Sequence, residues 1–113
     1  MKNQDERRKN PRIEAVWPLK IIRDDLVIEG ESRNISIDGI QINCEEPLHL
    51  NERIRISIFP PNSDGIAFTG EVVWSDFYGL DDDNKVFGIG VCLVEVKEED
   101  KNLIERLLEE NIE

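Results

Sequence analysis

Alternation of apolar and polar residues constrains the fold of this chain more than any other feature. Between residues 13 and 94, apolar side chains recur at every second position in six runs that turn residues separate. In the fourth run, Ile54, Ile56 and Ile58 alternate with polar neighbours. Because successive side chains of a strand point to opposite faces, this pattern predicts a sheet with one buried face.

The six runs predict six short strands. We expect these strands at residues 13–22, 26–35, 39–44, 53–58, 66–75 and 86–94. Pro18 inside the first run indicates an edge position or a bulge. An open sheet of six strands would leave two edges exposed, so we predict an all-β fold with a closed or nearly closed antiparallel barrel.

From Glu98 the apolar residues follow a helical period. The stripe consists of Leu103, Ile104, Leu107, Leu108 and Ile112. Acidic residues at 98–100 complement the helix dipole in the first turn. We therefore divide the chain into a flexible basic arm (1–12), a barrel (13–97) and a C-terminal amphipathic helix (98–113) that covers an open end or one flank of the barrel.

Length and composition favour one globular domain. The chain has 113 residues, of which 39% are hydrophobic and 35% charged. It has no apolar run of roughly 18 to 20 residues, and its polar opening lacks the apolar stretch of a signal peptide. We expect a cytoplasmic protein that does not insert into membranes.

Charge is unevenly distributed. A net charge of −11 repels phosphate backbones and argues against nucleic acid as a partner. Residues 1–23, however, hold seven basic against three acidic residues. This basic segment either stays in solvent, docks on the acidic body or binds an anionic ligand.

The sequence offers no convincing catalytic or metal centre. Cys44 and Cys92 lie in apolar runs without a CxxC motif, which predicts two buried, reduced thiols. Ser36 lacks both a neighbouring histidine and a GxSxG elbow. The three aspartates at 81–83 do not have the spacing of a calcium loop. We therefore expect no enzymatic activity, no metal and no cofactor.

One polar motif lies in the basic arm. Arg8 and Arg12 are four residues apart, and Pro11 disfavours a helical conformation at Asn10. In an extended chain the two arginines lie on one side, roughly 13 Å apart. Such a pair suits a ligand with more than one phosphate, and a guanidinium fork can also bond the N7 and O6 atoms of guanine.

A second motif follows the second predicted strand. Asn34 and Ser36 point to the same side in extended chain and can bond a base edge or a phosphate. Gly39 permits a positive φ angle and close approach of a ligand. An ordinary turn is the alternative interpretation, because these residue types are also common in turns.

Together and in this order, the motifs resemble the two signatures of the PilZ domain, RxxxR and [DN]xSxxG. Segments 70–74 (Gly-Glu-Val-Val-Trp) and 87–91 (Phe-Gly-Ile-Gly-Val) also look like the family. The resemblance implies a six-stranded antiparallel barrel with a C-terminal helix, which binds the second messenger cyclic di-GMP. The implied ligand-binding residues are Arg7, Arg8, Arg12, Asn34, Ser36 and Gly39.

The resemblance further implies an unidentified downstream protein in motility, exopolysaccharide or biofilm machinery. One alternative is a PilZ-like adaptor that acts through protein contacts with weak or no nucleotide binding. Another is a small barrel that stacks single-stranded RNA on aromatic side chains, although the net charge disfavours it. The acidic loop 76–85 either tunes ligand affinity or forms a partner surface.

Overall fold

A computed structural model describes residues 12–77 and 86–111, with seven strands and one helix in that part of the chain. The strands are β1 (Arg12–Glu14), β2 (Pro18–Arg23), β3 (Leu26–Ser36), β4 (Gly39–Cys44), β5 (Arg53–Ile58), β6 (Ile66–Phe77) and β7 (Phe87–Val96). The helix, α1, spans Glu98–Asn111. Residues 1–11 of the predicted arm and residues 78–85 of the predicted acidic loop lie outside the described residues.

All strand pairs are antiparallel, and six strands close into a barrel. Around the barrel the order is β3, β2, β5, β6, β7 and β4, and β4 pairs back onto β3. Strand β1 is an additional strand on the edge of β3, in line with β2. The structure confirms the predicted six-stranded antiparallel barrel with a C-terminal helix.

The first predicted strand is wrong as a continuous element, because the chain breaks it at residues 15–17. Ser32, which is fully buried, occupies this junction. Its hydroxyl donates a 2.6 Å hydrogen bond to the carbonyl oxygen of Ala15 and accepts a 3.0 Å bond from the amide of Trp17. The side chain thus satisfies the Ala15 carbonyl and the Trp17 amide, while the Ala15 amide and the Trp17 carbonyl still bond the backbone of β3.

The inner faces of the strands form one apolar core. Ile54, Ile56 and Ile58 are almost fully buried, as their alternation predicts. Helix α1 contacts β6 and β1 and adds Ile104 and Leu108 to the same core. One side of α1 packs on this core and the opposite side faces solvent, which accounts for the amphipathic pattern of its sequence.

Replacing Ser32 tests the junction between β1 and β2. We expect Ser32→Ala to lower the free energy of unfolding by about 1 to 3 kcal/mol, because it removes two hydrogen bonds to half-buried backbone groups, each contributing about 0.5 to 1.5 kcal/mol. Ser75→Ala, at an exposed position of β6, is the matched control and should change stability little. Equal unfolding midpoints in urea for the two variants would show that the Ser32 hydroxyl does not hold the junction.

Candidate functional site

The short pairing of β1 with β3 brings the two sequence motifs together. Arg12 lies opposite Ser36, and Glu14 lies opposite Asn34. On the other edge of β3, Asn34 also lies opposite Gln41 of β4. Because paired residues of antiparallel strands point to the same face, these five side chains share one face of the sheet.

The core determines that this shared face is the outer one. Ile13 and Ile35 lie opposite each other between the polar pairs, and both are buried in the barrel. Alternation then directs Arg12 and Asn34 outward. Arg12 is exposed and Asn34 is half-buried. A charged fork and an amide therefore lie at the surface over the same end of β3.

Ser36 organises the turn that connects β3 to β4. Its hydroxyl oxygen accepts hydrogen bonds from the amides of Asp38 and Gly39, each 3.2 Å long, and donates a 3.4 Å bond to the Gly39 carbonyl. The side chain is buried, at 6% exposure. In this structure the hydroxyl is thus committed to the turn, which is the alternative that the sequence left open for the motif.

Gly39 is constrained by a neighbouring strand. It does not use the positive φ angle that glycine permits, since Gly65 is the glycine with positive φ in the described part of the chain. A Cβ atom on Gly39 would instead lie 2.6 Å from the carbonyl oxygen of Val91 in β7. Glycine is needed here so that β4 and β7 can pair closely.

Asn34 and Gln41 form an amide pair on the outer face. Nδ2 of Asn34 donates a 2.8 Å hydrogen bond to Oε1 of Gln41. No described residue bonds the other polar atom of either amide, Oδ1 of Asn34 or Nε2 of Gln41. One acceptor and one donor group are thus available at the surface. Sequence reasoning missed Gln41, although its polar side chain alternates with the buried Ile40 and Ile42.

An aromatic side chain continues this row of outward residues. Gln41 lies opposite Gly90 of β7, and Gly90 lies opposite Trp74 of β6. The indole covers the Gly90 backbone so closely that a Cβ atom there would overlap its ring. Trp74 nevertheless remains 38% exposed. The row therefore ends in an accessible aromatic surface, which sequence reasoning also missed.

Two of the six predicted ligand-binding residues, Arg7 and Arg8, lie outside the described residues. The other four, Arg12, Asn34, Ser36 and Gly39, lie together at the β1–β3–β4 end of the barrel. Among residues 12–77 and 86–111, no cluster of His, Cys, Asp or Glu suits a metal ion. The helix within those ranges is too short and too polar to cross a membrane.

The two thiols differ in environment, and both are free. Cys44 is buried, whereas Cys92 is exposed, so the prediction of a buried thiol is wrong for Cys92. Cys92 lies opposite Gly39 and Glu71 on the outer face of β7. Burial raises the pKa of the Cys44 thiol, and the negative charges of Glu45 and Glu46 raise it further.

The chain is thus a small closed β-barrel with a polar and aromatic face beside the β3–β4 turn. The PilZ domain family model matches residues 6–110, and the chain belongs to this family. That match confirms the predicted family. A comparison with curated protein sequences found no significant match.

Solved structures share the fold. The chain is similar to the PilZ domain of Escherichia coli YcgR, determined with c-di-GMP (15% identity, 93% of this chain and 91% of that chain, TM-score 0.76). It is similar to the Bacillus subtilis inhibitor of motility MotI/DgrA (21%, 92% and 50%, 0.72). It also matches Borreliella burgdorferi PlzA, determined in complex with c-di-GMP (10%, 96% and 55%, 0.63). The chain spans about half the length of the last two proteins.

Thiol reactivity tests the contrast between the two cysteines. Because the thiolate is the reactive form, we expect iodoacetamide at pH 8 to modify Cys92 at least about tenfold faster than Cys44. In urea both should react at similar rates. Peptide mass spectrometry at successive times measures the modification rate of each cysteine. In Cys92→Ser only Cys44 remains, so its slow modification can be followed alone. Fast labelling of Cys44 in the folded protein would contradict the burial that the structure assigns to it.

Proposed function

We propose that this protein is a receptor for cyclic di-GMP, with no catalytic activity of its own. The observation that carries the proposal is the pairing of Arg12 with Ser36, because it joins the end of the RxxxR motif to the NxSxxG motif on one outer face. Membership of the PilZ family supports the proposal. The similar structures of the YcgR PilZ domain and of PlzA, both determined with c-di-GMP, also support it.

The side chains on this face suit a guanine nucleotide. Arg12 offers a charged fork for a phosphate or for the N7 and O6 atoms of guanine. The Asn34 carbonyl oxygen and the Gln41 amide nitrogen can bond the edge of a base. The exposed indole of Trp74 provides a surface for stacking. Ser36 and Gly39 contribute by fixing the turn on which these groups are carried.

The basic charge in the sequence around Arg12 supports a dianionic ligand. Arg7, Arg8, Lys9 and Arg12 are four basic residues within six positions, in a chain of net charge −11. Positive charges so close together repel one another, and a bound dianion relieves that repulsion. We propose that the ligand bridges the arm to the β3–β4 face and thereby holds residues 5–11 against the barrel.

If the ligand holds this segment against the barrel, the bound protein would present a new surface to a downstream protein. We propose that the partner belongs to motility, exopolysaccharide or biofilm machinery. The core need not rearrange, because the bound ligand changes only what covers one face of the barrel. The PilZ-like adaptor remains the alternative, and it differs in needing no nucleotide.

Replacing Arg12 tests the proposed function directly. We expect Arg12→Ala to weaken binding of cyclic di-GMP by more than about tenfold, because a hydrogen bond to a charged group contributes about 1.5 to 3 kcal/mol. Calorimetric titration measures the affinity, with GTP and cyclic di-AMP as competing ligands. Arg55→Ala removes another exposed arginine, from β5, and should bind as the parent protein does.

The same titration separates the two functions. If Arg12→Ala and Arg55→Ala weakened binding of cyclic di-GMP equally, the nucleotide would be held by general electrostatic attraction to basic residues and not by this site. If the unmodified protein takes up no cyclic di-GMP, the receptor proposal fails and the adaptor alternative gains support.

A further inference from the structure

A second exposed surface lies at the other end of β3, where the β2–β3 hairpin presents three apolar side chains to solvent. Ile22, Leu26 and Val27 are 41%, 53% and 56% exposed. Ile22 and Val27 lie opposite each other and share the outer face, and Leu26 lies at the hairpin tip. Apolar side chains grouped in this way are a common feature of protein docking surfaces.

A groove adjoins this apolar hairpin. Two neighbouring cavities of about 280 and 410 Å³ run along the outer side of β3 and the end of β4. They share Glu29 and Glu45 and therefore form one depression. We call it the acidic groove, because four of its lining residues are glutamates, namely Glu29, Glu31, Glu45 and Glu46.

The charge of the acidic groove is poorly compensated. None of the four glutamates forms a salt bridge within the part of the chain that the structure describes. The nearby Arg23 is committed elsewhere, with Nε 2.7 Å from a carboxylate oxygen of Glu52. Lys20, opposite Glu29, and Arg55, opposite Ile22, are basic residues at the margin of this surface. Carboxylates grouped in this way create a negative potential that attracts a cationic partner.

We propose that the acidic groove and the adjoining apolar hairpin dock a basic amphipathic segment of another protein. Leucine-type side chains of that segment would cover Ile22, Leu26 and Val27, and its lysines or arginines would lie along the glutamates. Such a surface combines apolar burial with charge complementarity, which together give affinity and selectivity. The proposal concerns a surface separate from the nucleotide site and does not depend on nucleotide binding.

Other occupants fit the surface less well. Residues 1–11 of this chain are basic, but Met1 and Pro11 are their only apolar residues, so they cannot cover the apolar hairpin. A second copy carries the same charge of −11 and is repelled. Anionic lipid and nucleic acid are repelled for the same reason. A basic amphipathic segment of a partner satisfies both halves of the surface.

A labelled 14-residue peptide of leucine and lysine, amphipathic as a helix, serves as the probe for the full-length protein. Fluorescence anisotropy at about 0.15 M salt measures its affinity, since long-range attraction is largely screened there. We expect Glu29→Gln with Glu45→Gln to weaken binding at least about fivefold. The matched control, Glu109→Gln with Glu110→Gln, removes the same charge from the end of α1. It should change the affinity for the peptide by less than about twofold.

The apolar half has its own pair of variants. We expect Val27→Ser to weaken binding of the peptide at least about threefold, because less apolar surface is buried on docking. Val73→Ser, at an exposed position of β6 that is 50% accessible, should leave the affinity unchanged. A peptide with serine in place of leucine should bind far more weakly to the unmodified protein.

Several outcomes would overturn the proposal. Equal losses in the groove and helix variants would show attraction by net charge alone. Unchanged affinity in Val27→Ser would show that the apolar hairpin takes no part. Tighter peptide binding after Lys2→Gln with Lys9→Gln would assign the groove to the chain's own basic segment. A dimer in sedimentation that Val27→Ser dissociates would assign it to a second copy.

Discussion

The pairing of β1 with β3 is the constraint on which the candidate site depends. Burial of Ile13 against Ile35 fixes which side of this short pair faces the core. A slip by one residue would turn Arg12 inward and remove it from the face that carries Asn34. The buried hydroxyl of Ser32 holds the junction that allows β1 to continue along the same edge of β3 as β2. A single serine in the core thus helps to align the surface motifs.

The sequence predicted the barrel, the helix and the parity of most strands, because apolar alternation directly reflects burial. Pro18 indicated an irregularity in the first run, but the sequence could not place the break at residues 15–17, since the hydroxyl that bonds the backbone there comes from Ser32, far along the chain. The same limit applies to Gly39 and to Trp74, which are constrained by the backbone of β7. The two motifs could be identified from their residue types. That Gln41 and Trp74 lie on the same face as Asn34 could be seen only from the register of four strands.

Strand β3 carries both surfaces that we propose to be functional. Its last residues lie beside Arg12, and its first residues line the acidic groove. Arg12 and the acidic groove are therefore separated along one strand, which rises about 3.3 Å per residue over its eleven residues. This separation would keep the proposed nucleotide site apart from the proposed surface for a basic partner.

The most direct measurement is a nitrogen-15 NMR titration with cyclic di-GMP that follows side-chain signals. We expect the indole N–H of Trp74 and the side-chain amides of Asn34 and Gln41 to shift together and to saturate with one affinity. The amides of Ile22 and Val27, at the other end of β3, should stay unchanged. If the Trp74, Asn34 and Gln41 signals did not move at saturating nucleotide, the outer face of β1, β3 and β4 would not be the binding site.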